Sequence, residues 1–207
     1  MHRWQWRRKD RARDFGPTRK VARHRDNLGV FYVTCGGDLL PPKEFGAMTN
    51  ILRFVQVFAL GAWVGSIFYF SAAVAPGAFR VLSNQDQAGA LVQFTLGRLH
   101  TLGVVAALLY LFASVGLAES FKGLVRPAAI GVALMLVLTI TSQNFVMRKM
   151  VALRTEMGSV MATPAADPLR VEFDRLHGIS VKLEGAVLLI GFAALFLTVR
   201  EMTVTSG

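Results

Sequence analysis

The 207-residue chain is 53% apolar and only 17% charged, with positive mean hydropathy. That balance excludes an ordinary soluble domain, in which about 25% of residues are charged. Its formal charge of +10 suits anionic partners but is unevenly placed, because residues 1–47 supply six of the ten charges, and a lone cysteine, Cys35, rules out a disulfide or thiolate-metal framework within the chain.

Residues 1–47 carry eleven Lys and Arg against five acids and lack the apolar stretch of a cleavable signal. Trp4 and Trp6 among arginines would suit a nucleic-acid arm, with rings stacked on bases and guanidinium groups on phosphates. A disordered basic tail at a membrane face is the second reading. The third is that the segment is not translated: Lys43-Glu44 can be encoded AAGGAG, like a bacterial ribosome-binding sequence, three codons ahead of Met48. The expectation adopted is a basic extension over 1–47, disordered or untranslated, and a membrane domain over 48–207. Nucleic acid is therefore not an expected partner.

Apolar windows recur at residues 54–75, 102–117, 128–147 and 181–199. A helix crossing about 30 Å of hydrocarbon needs about 20 such residues, and open strands cannot satisfy their backbone in lipid. The pattern predicts an all-α membrane protein, a four-transmembrane-helix bundle with helices near 51–75, 85–118, 127–158 and 168–200. Pro76 and Gly77 are expected to end the first helix. The run "ATPAADP" breaks the third, and Asp167 followed by Pro168 reads as an N-cap with proline at N1 of the fourth.

Gly61 and Gly65 form a GxxxG pair in the first helix, expected to pack helices closely or to support a homodimer. "GRLHTLG" at 97–103 recurs as "DRLHGIS" at 174–180, each just before an apolar run, which suggests two tandem helical hairpins. His100 and His177 would then enter the membrane at similar depth. Two imidazoles there would ligate haem iron, copper or zinc, or would hydrogen-bond neighbouring groups and fix packing; two histidines alone make an incomplete metal site.

On the fourth helix His177, Ser180 and Glu184 share a face, with Glu184 about 10 Å deeper than His177. A carboxylate at that depth needs a partner, and Arg98, His100 and Arg148 are the candidates. The third helix closes on "TITSQNF", whose Gln143 and Asn144 join the expected polar cluster. Gln56 starts from the other side and is expected to be remote. No phosphate-binding loop, HExxH or nucleophile elbow occurs, so an enzyme is not the expected reading without a cofactor.

Four positive charges, Arg53, Lys122, Arg126 and Arg200, fall on the side of the second inter-helix loop (side A). Eight, including Arg98, Arg148, Lys149 and Lys182, fall on the other (side B). The positive-inside rule makes side B cytoplasmic and, for a chain starting at Met48, places both termini outside an inner membrane.

The segment "LRFVQVFALGAWVGSIFYFSAAVAPGAFRVL", with "AGALV" and "FDRLHGISVKLEGAVLLIGF", resembles the domain of unknown function 4149 family, which includes transmembrane-protein-205-like proteins. The likeness covers about residues 50–199 and rests on Trp63-Val64-Gly65, Ala75-Pro76 and Leu176-His177-Gly178 with Ser180. It implies an integral membrane bundle without an established activity. The first helix is more weakly similar to copper-resistance D-type and haem-linked protoporphyrinogen-oxidase membrane families. Those usually carry a histidine near its start, where Gln56 stands here. The expected function is handling of a small solute, ion or proton by the cluster Arg98, His100, Gln143, Asn144, His177, Ser180 and Glu184. Haem or copper held by His100 and His177 for redox work is the alternative, with no cofactor as the leading expectation. A structural role beside a membrane partner protein is the third reading, and the lipid bilayer is the common partner of all three.

Overall fold

The structure, a computed structural model, describes residues 43–204. Of the expected basic extension over 1–47, residues 1–42, with Cys35, Trp4 and Trp6, lie outside them, and residues 43–47 form the start of the first helix. Among the described residues all regular structure is helical: α1 (Lys43–Tyr69), a π segment (Phe70–Val74), α2 (Ala75–Val81), α3 (Gln85–Ala118), a 3-10 turn (Phe121–Val125), α4 (Pro127–Thr141), a second π segment (Ser142–Met147), α5 (Arg148–Met157) and α6 (Pro168–Val204). Four continuous rods, Gly46–Val81, Gln85–Ala118, Pro127–Met157 and Pro168–Thr203, are long and apolar enough to cross a membrane, as a multi-pass membrane protein requires. At 1.5 Å per residue each exceeds the hydrocarbon thickness by about 15 Å or more.

Local chemistry sets the rod ends. Asn84 Oδ1 accepts from the backbone N–H groups of Asp86 (2.9 Å) and Gln87 (3.2 Å), capping α3. Asp167 Oδ1 does the same for Leu169 N (2.8 Å), with Pro168 in the first position, where its missing N–H costs nothing. Gly158, at φ 70°, stops α5 and donates its N–H to Arg154 O at 3.0 Å.

Pro76 does not end the first rod. Proline inside an α-helix removes an N–H and crowds the carbonyl four residues back. Here the preceding turn widens into the π segment, Ala75 N bonds Phe70 O across five residues, and the helix continues as α2 to Val81.

α1 packs on α3 and α6, and α4 packs on both of these. Trp63, 1% exposed, lies in a notch at Gly103 of α3, where a β-carbon would come within 2.4 Å of Nε1. Val64 and Met135 fill the matching notch at Gly191 of α6, at 2.6 Å and 3.0 Å from the same imagined atom. Small residues thus bring these helices together, but not at Gly61 and Gly65. Both have open space within 4 Å of a would-be β-carbon, so the expected GxxxG packing does not occur among the described residues. One apolar core runs through the bundle, from Ala128 and Tyr110 to Leu96. A second, formed by Val146, Met150, Leu153, Val160, Phe173 and Leu176, holds together the side-B ends of α5 and α6. Large apolar side chains such as Phe58, Leu108, Phe112, Leu189 and Phe196 point outward, the surface expected of a bundle in lipid.

Candidate functional site

His100, Gln143 and Glu184 lie 18, 17 and 16 residues from Ala118, Arg126 and Arg200, residues at or near the side-A ends of their rods. The helical rise puts all three about 25 Å from side A, near the far edge of a hydrocarbon layer of about 30 Å. His100, 3% exposed, engages both ring nitrogens: Nε2 lies 2.5 Å from Glu184 Oε1 and Nδ1 lies 2.7 Å from Gln143 Oε1. Both partners present oxygen. With Nδ1–H donated to the Gln143 carbonyl, the Nε2 to Oε1 contact holds one further proton, as imidazolium with carboxylate or as imidazole with carboxylic acid. The pair is neutral overall in either form and carries one exchangeable proton.

Gln143 reaches His100 from the second π segment, the polar "SQN" stretch of the sequence. Ser142 beside it is fully buried. A π turn closes hydrogen bonds five residues apart, so it holds one residue more than an α turn and changes the facing of the polar residues within it.

A cavity of about 570 Å³ runs along the side-B half of the bundle, walled by apolar residues that include Phe70, Leu96, Met150, Phe173 and Leu188. His177, Ser180 and Glu184 follow one another along its α6 wall. Glu184 is toward its inner end, one turn short of Leu188, and Asp86, Arg154 and Arg170 are about 20 Å away along the helices at the outer end. Glu184, 12% exposed, lines the cavity; its Oε1 holds His100, and its Oε2 has no hydrogen-bond partner among the described residues. Gln93, on the opposite wall, has a buried Nε2 without a hydrogen-bond partner.

Residues 58–159 match the family model described as a domain of unknown function, DUF4149. The likeness to that domain therefore runs from α1 to the turn after α5. No curated protein and no solved structure matches the chain. The matched DUF4149 segment contains Trp63, His100 and Gln143, whereas His177, Ser180 and Glu184 come from α6 beyond it.

The outer end of the cavity is lined by a latch that the sequence did not announce. Asp86 accepts from Ser159 Oγ (2.5 Å), Val160 N (3.0 Å) and Met161 N (3.4 Å), tying the turn after α5 to the start of α3. Arg154 Nη1 donates to the Asp86 carbonyl at 3.2 Å, and its guanidinium lies over Phe173, 5.5 Å from the ring centroid. It also rests on Gly89, where a β-carbon would meet Nη2 at 2.7 Å. Arg170 donates to the Val160 carbonyl and, at 3.0 Å, to Asp174. The only sequence signal was an acid in the first turn of α3.

Three expected cluster members stand elsewhere. Arg98 points outward over the Phe94 ring, 5.2 Å from its centroid. Asn144 is exposed and donates back to Ile140 O at 3.0 Å, since an amide on the outer face has only its own helix to bond. His177 is exposed on the cavity wall two turns from Glu184 and is not joined to His100. Haem or copper between His100 and His177 does not fit these residues, because both His100 nitrogens are committed to Gln143 and Glu184. Among the described residues no group of three His, Cys, Asp or Glu is placed to hold a metal ion.

Gln56 belongs to a second buried network in the side-A half. Its Nε2 donates to Ser114 Oγ (2.8 Å), which donates to Tyr110 O (2.9 Å), while Tyr110 OH lies 2.7 Å from Thr198 Oγ1. Ser114 is fourteen residues beyond His100 on α3, about 21 Å along the helix, so the two networks are separate.

Proposed function

We propose that this protein binds a small, apolar-bodied solute in the side-B cavity and exchanges a proton with it at the His100–Glu184 pair. The observation that carries the reading is that Glu184 lines the cavity with Oε1 bound to His100 and Oε2 without a hydrogen-bond partner among the described residues. The apolar wall supplies burial for the body of the solute, and Oε2 accepts a hydrogen bond from an amine or hydroxyl at its end. Proton movement within the pair changes its acceptor strength without leaving net charge in the membrane. Side B faces the cytoplasm in this reading, following the excess of Arg and Lys there. Gly61 and Gly65, open on the outer face of α1, offer the approach for a second copy, which a complete transport path through so small a bundle requires.

The test is calorimetric binding of 9-aminoacridine, a lipophilic amine, to the detergent-purified protein in two buffers of different ionisation heat. The expected result is saturable binding with a buffer-dependent heat, the mark of proton exchange, weakened about tenfold or more by Glu184→Gln, which removes a charge-assisted bond. Buffer-independent heat together with unchanged affinity in Glu184→Gln overturns the reading.

A further inference from the structure

On the far side of α3 from the cavity, an open groove of about 530 Å³ runs between the side-B halves of α3 and α5. Its polar lining is Gln93, Arg98, Thr101, Gln143 and Arg148, and no aspartate or glutamate lines it. Arg98 and Arg148 are exposed, and neither has an acidic partner among the described residues. Gln143 gives its carbonyl to His100 and leaves its amide nitrogen without a partner among those residues. The buried Nε2 of Gln93, which borders both spaces, also lacks an acceptor. The groove therefore gathers two guanidinium groups and two amide donors with nothing negative to satisfy them. An acceptor-rich anion is the complement of that set.

The height of the groove identifies the kind of anion. Arg98 is 20 residues from Ala118 and Arg148 is 22 from Arg126, so both stand about 30 Å or slightly more from side A, at the level of lipid head groups. From Arg98 and Thr101 the same outward stripe of α3 continues toward side A as Val105, Leu108 and Phe112, all exposed and apolar. Val137 and Ile140 extend the neighbouring face of α4. Basic pockets between helices with apolar surface leading away from them suit a phosphate with acyl chains attached.

We propose that the Arg98–Arg148 groove is a binding site for an anionic phospholipid, with its phosphate between the two guanidinium groups and its chains along Val105, Leu108 and Phe112. The groove shares Gln93 and Met147 with the cavity wall, and Gln143 ties it to His100, but its two guanidinium groups belong to neither the cavity nor the His100–Glu184 pair, so it stands whether or not the cavity binds a solute.

The test is native mass spectrometry of the full chain released from detergent with phosphatidylglycerol, phosphatidylcholine or soluble glycerol phosphate. Phosphatidylglycerol is expected to remain bound in preference to the other two. Arg98→Gln with Arg148→Gln is expected to weaken its retention about thirtyfold, the electrostatic share of two basic residues at a membrane surface. Arg80→Gln with Lys182→Gln, which removes the same charge from exposed positions elsewhere on side B, is expected to leave it unchanged. Equal retention of phosphatidylcholine, equal binding of glycerol phosphate, undiminished retention in the Arg98 and Arg148 double variant, or equal loss in the Arg80 and Lys182 variant would each overturn the assignment. The double variant changes only outward-facing side chains, and its melting temperature, expected to match the parent without added lipid, separates lost binding from lost folding.

Discussion

Trp63 of α1 lies against Gly103 of α3 so closely that a single methyl group at residue 103 would stand 2.4 Å from the indole nitrogen. The indole is fully enclosed and has no room to retreat. Gly103→Ala should lower the stability of the detergent-solubilised protein by about 1–3 kcal/mol, the usual cost of overpacking. Gly61→Ala, facing open space, should leave it within about 0.5 kcal/mol. Thermal unfolding of the two variants side by side is the measurement, and equal melting temperatures would contradict the packing described.

The His100–Glu184 pair should show strong thermodynamic coupling. Either single substitution, His100→Asn or Glu184→Gln, leaves the other group buried without its proton partner, whereas the double variant removes both needs at once. A double-mutant cycle on unfolding free energy should give a coupling of about 0.5–3 kcal/mol, and additive effects would mean that the contact is not made.

In the side-A half, Gln56→Leu and Ser114→Ala should each cost about 1 kcal/mol, in keeping with hydrogen bonds between membrane helices. The second substitution should cost little once the first is present, because the shared bond is already gone. Neither should alter 9-aminoacridine binding, since the two polar networks are about 21 Å apart along α3.

Asp86→Asn weakens the three bonds that hold residues 159–161 to α3. Hydrogen exchange at the Val160 and Met161 amides should quicken about tenfold or more, given that each lost charge-assisted bond is worth about 1.5–3 kcal/mol. Protection in α4 should stay as it is, and unchanged exchange at 160 and 161 would show that the latch does not hold the turn.

Orientation is open to chemical labelling. In a chain started at Met48, which contains no native cysteine, a cysteine at Asn84 should react with a membrane-impermeant maleimide only after the cytoplasmic face is opened, and one at Lys122 should react in intact spheroplasts. The reverse pattern would invert the assignment of side B to the cytoplasm.

The parts of this architecture that are local were legible in the sequence, and the parts that depend on distant partners were not. Four apolar windows and the Asp167-Pro168 start follow from length, hydropathy and capping, which neighbouring residues determine. The inward face of His177, Ser180 and Glu184 followed from helical spacing, and helical rise placed His100 among the candidate partners of Glu184. Spacing alone could not choose His100 over Arg98, because both are near the right depth and only the rotation of α3 about its axis separates them. Pro76 was misleading for a similar reason: whether proline ends a helix or is absorbed depends on the preceding turn, here a π turn. Gly103 and Gly191 carry no sequence motif, and only the arrival of Trp63 and Val64 from another helix reveals their use.

The second π segment gives this site an unusual relation to the genetic text. Because Ser142–Met147 closes on five-residue hydrogen bonds, it holds one residue more than the α-helix it interrupts. Loss of one codon within it restores ordinary winding while α4 and α5 keep their packing faces. Most deletions inside a membrane helix rotate everything that follows and ruin the bundle; this one would erase the Gln143 arm of the cluster and spare the scaffold. The Gln143 arm is in that sense an insertion carried by the fold, removable in a single genetic step.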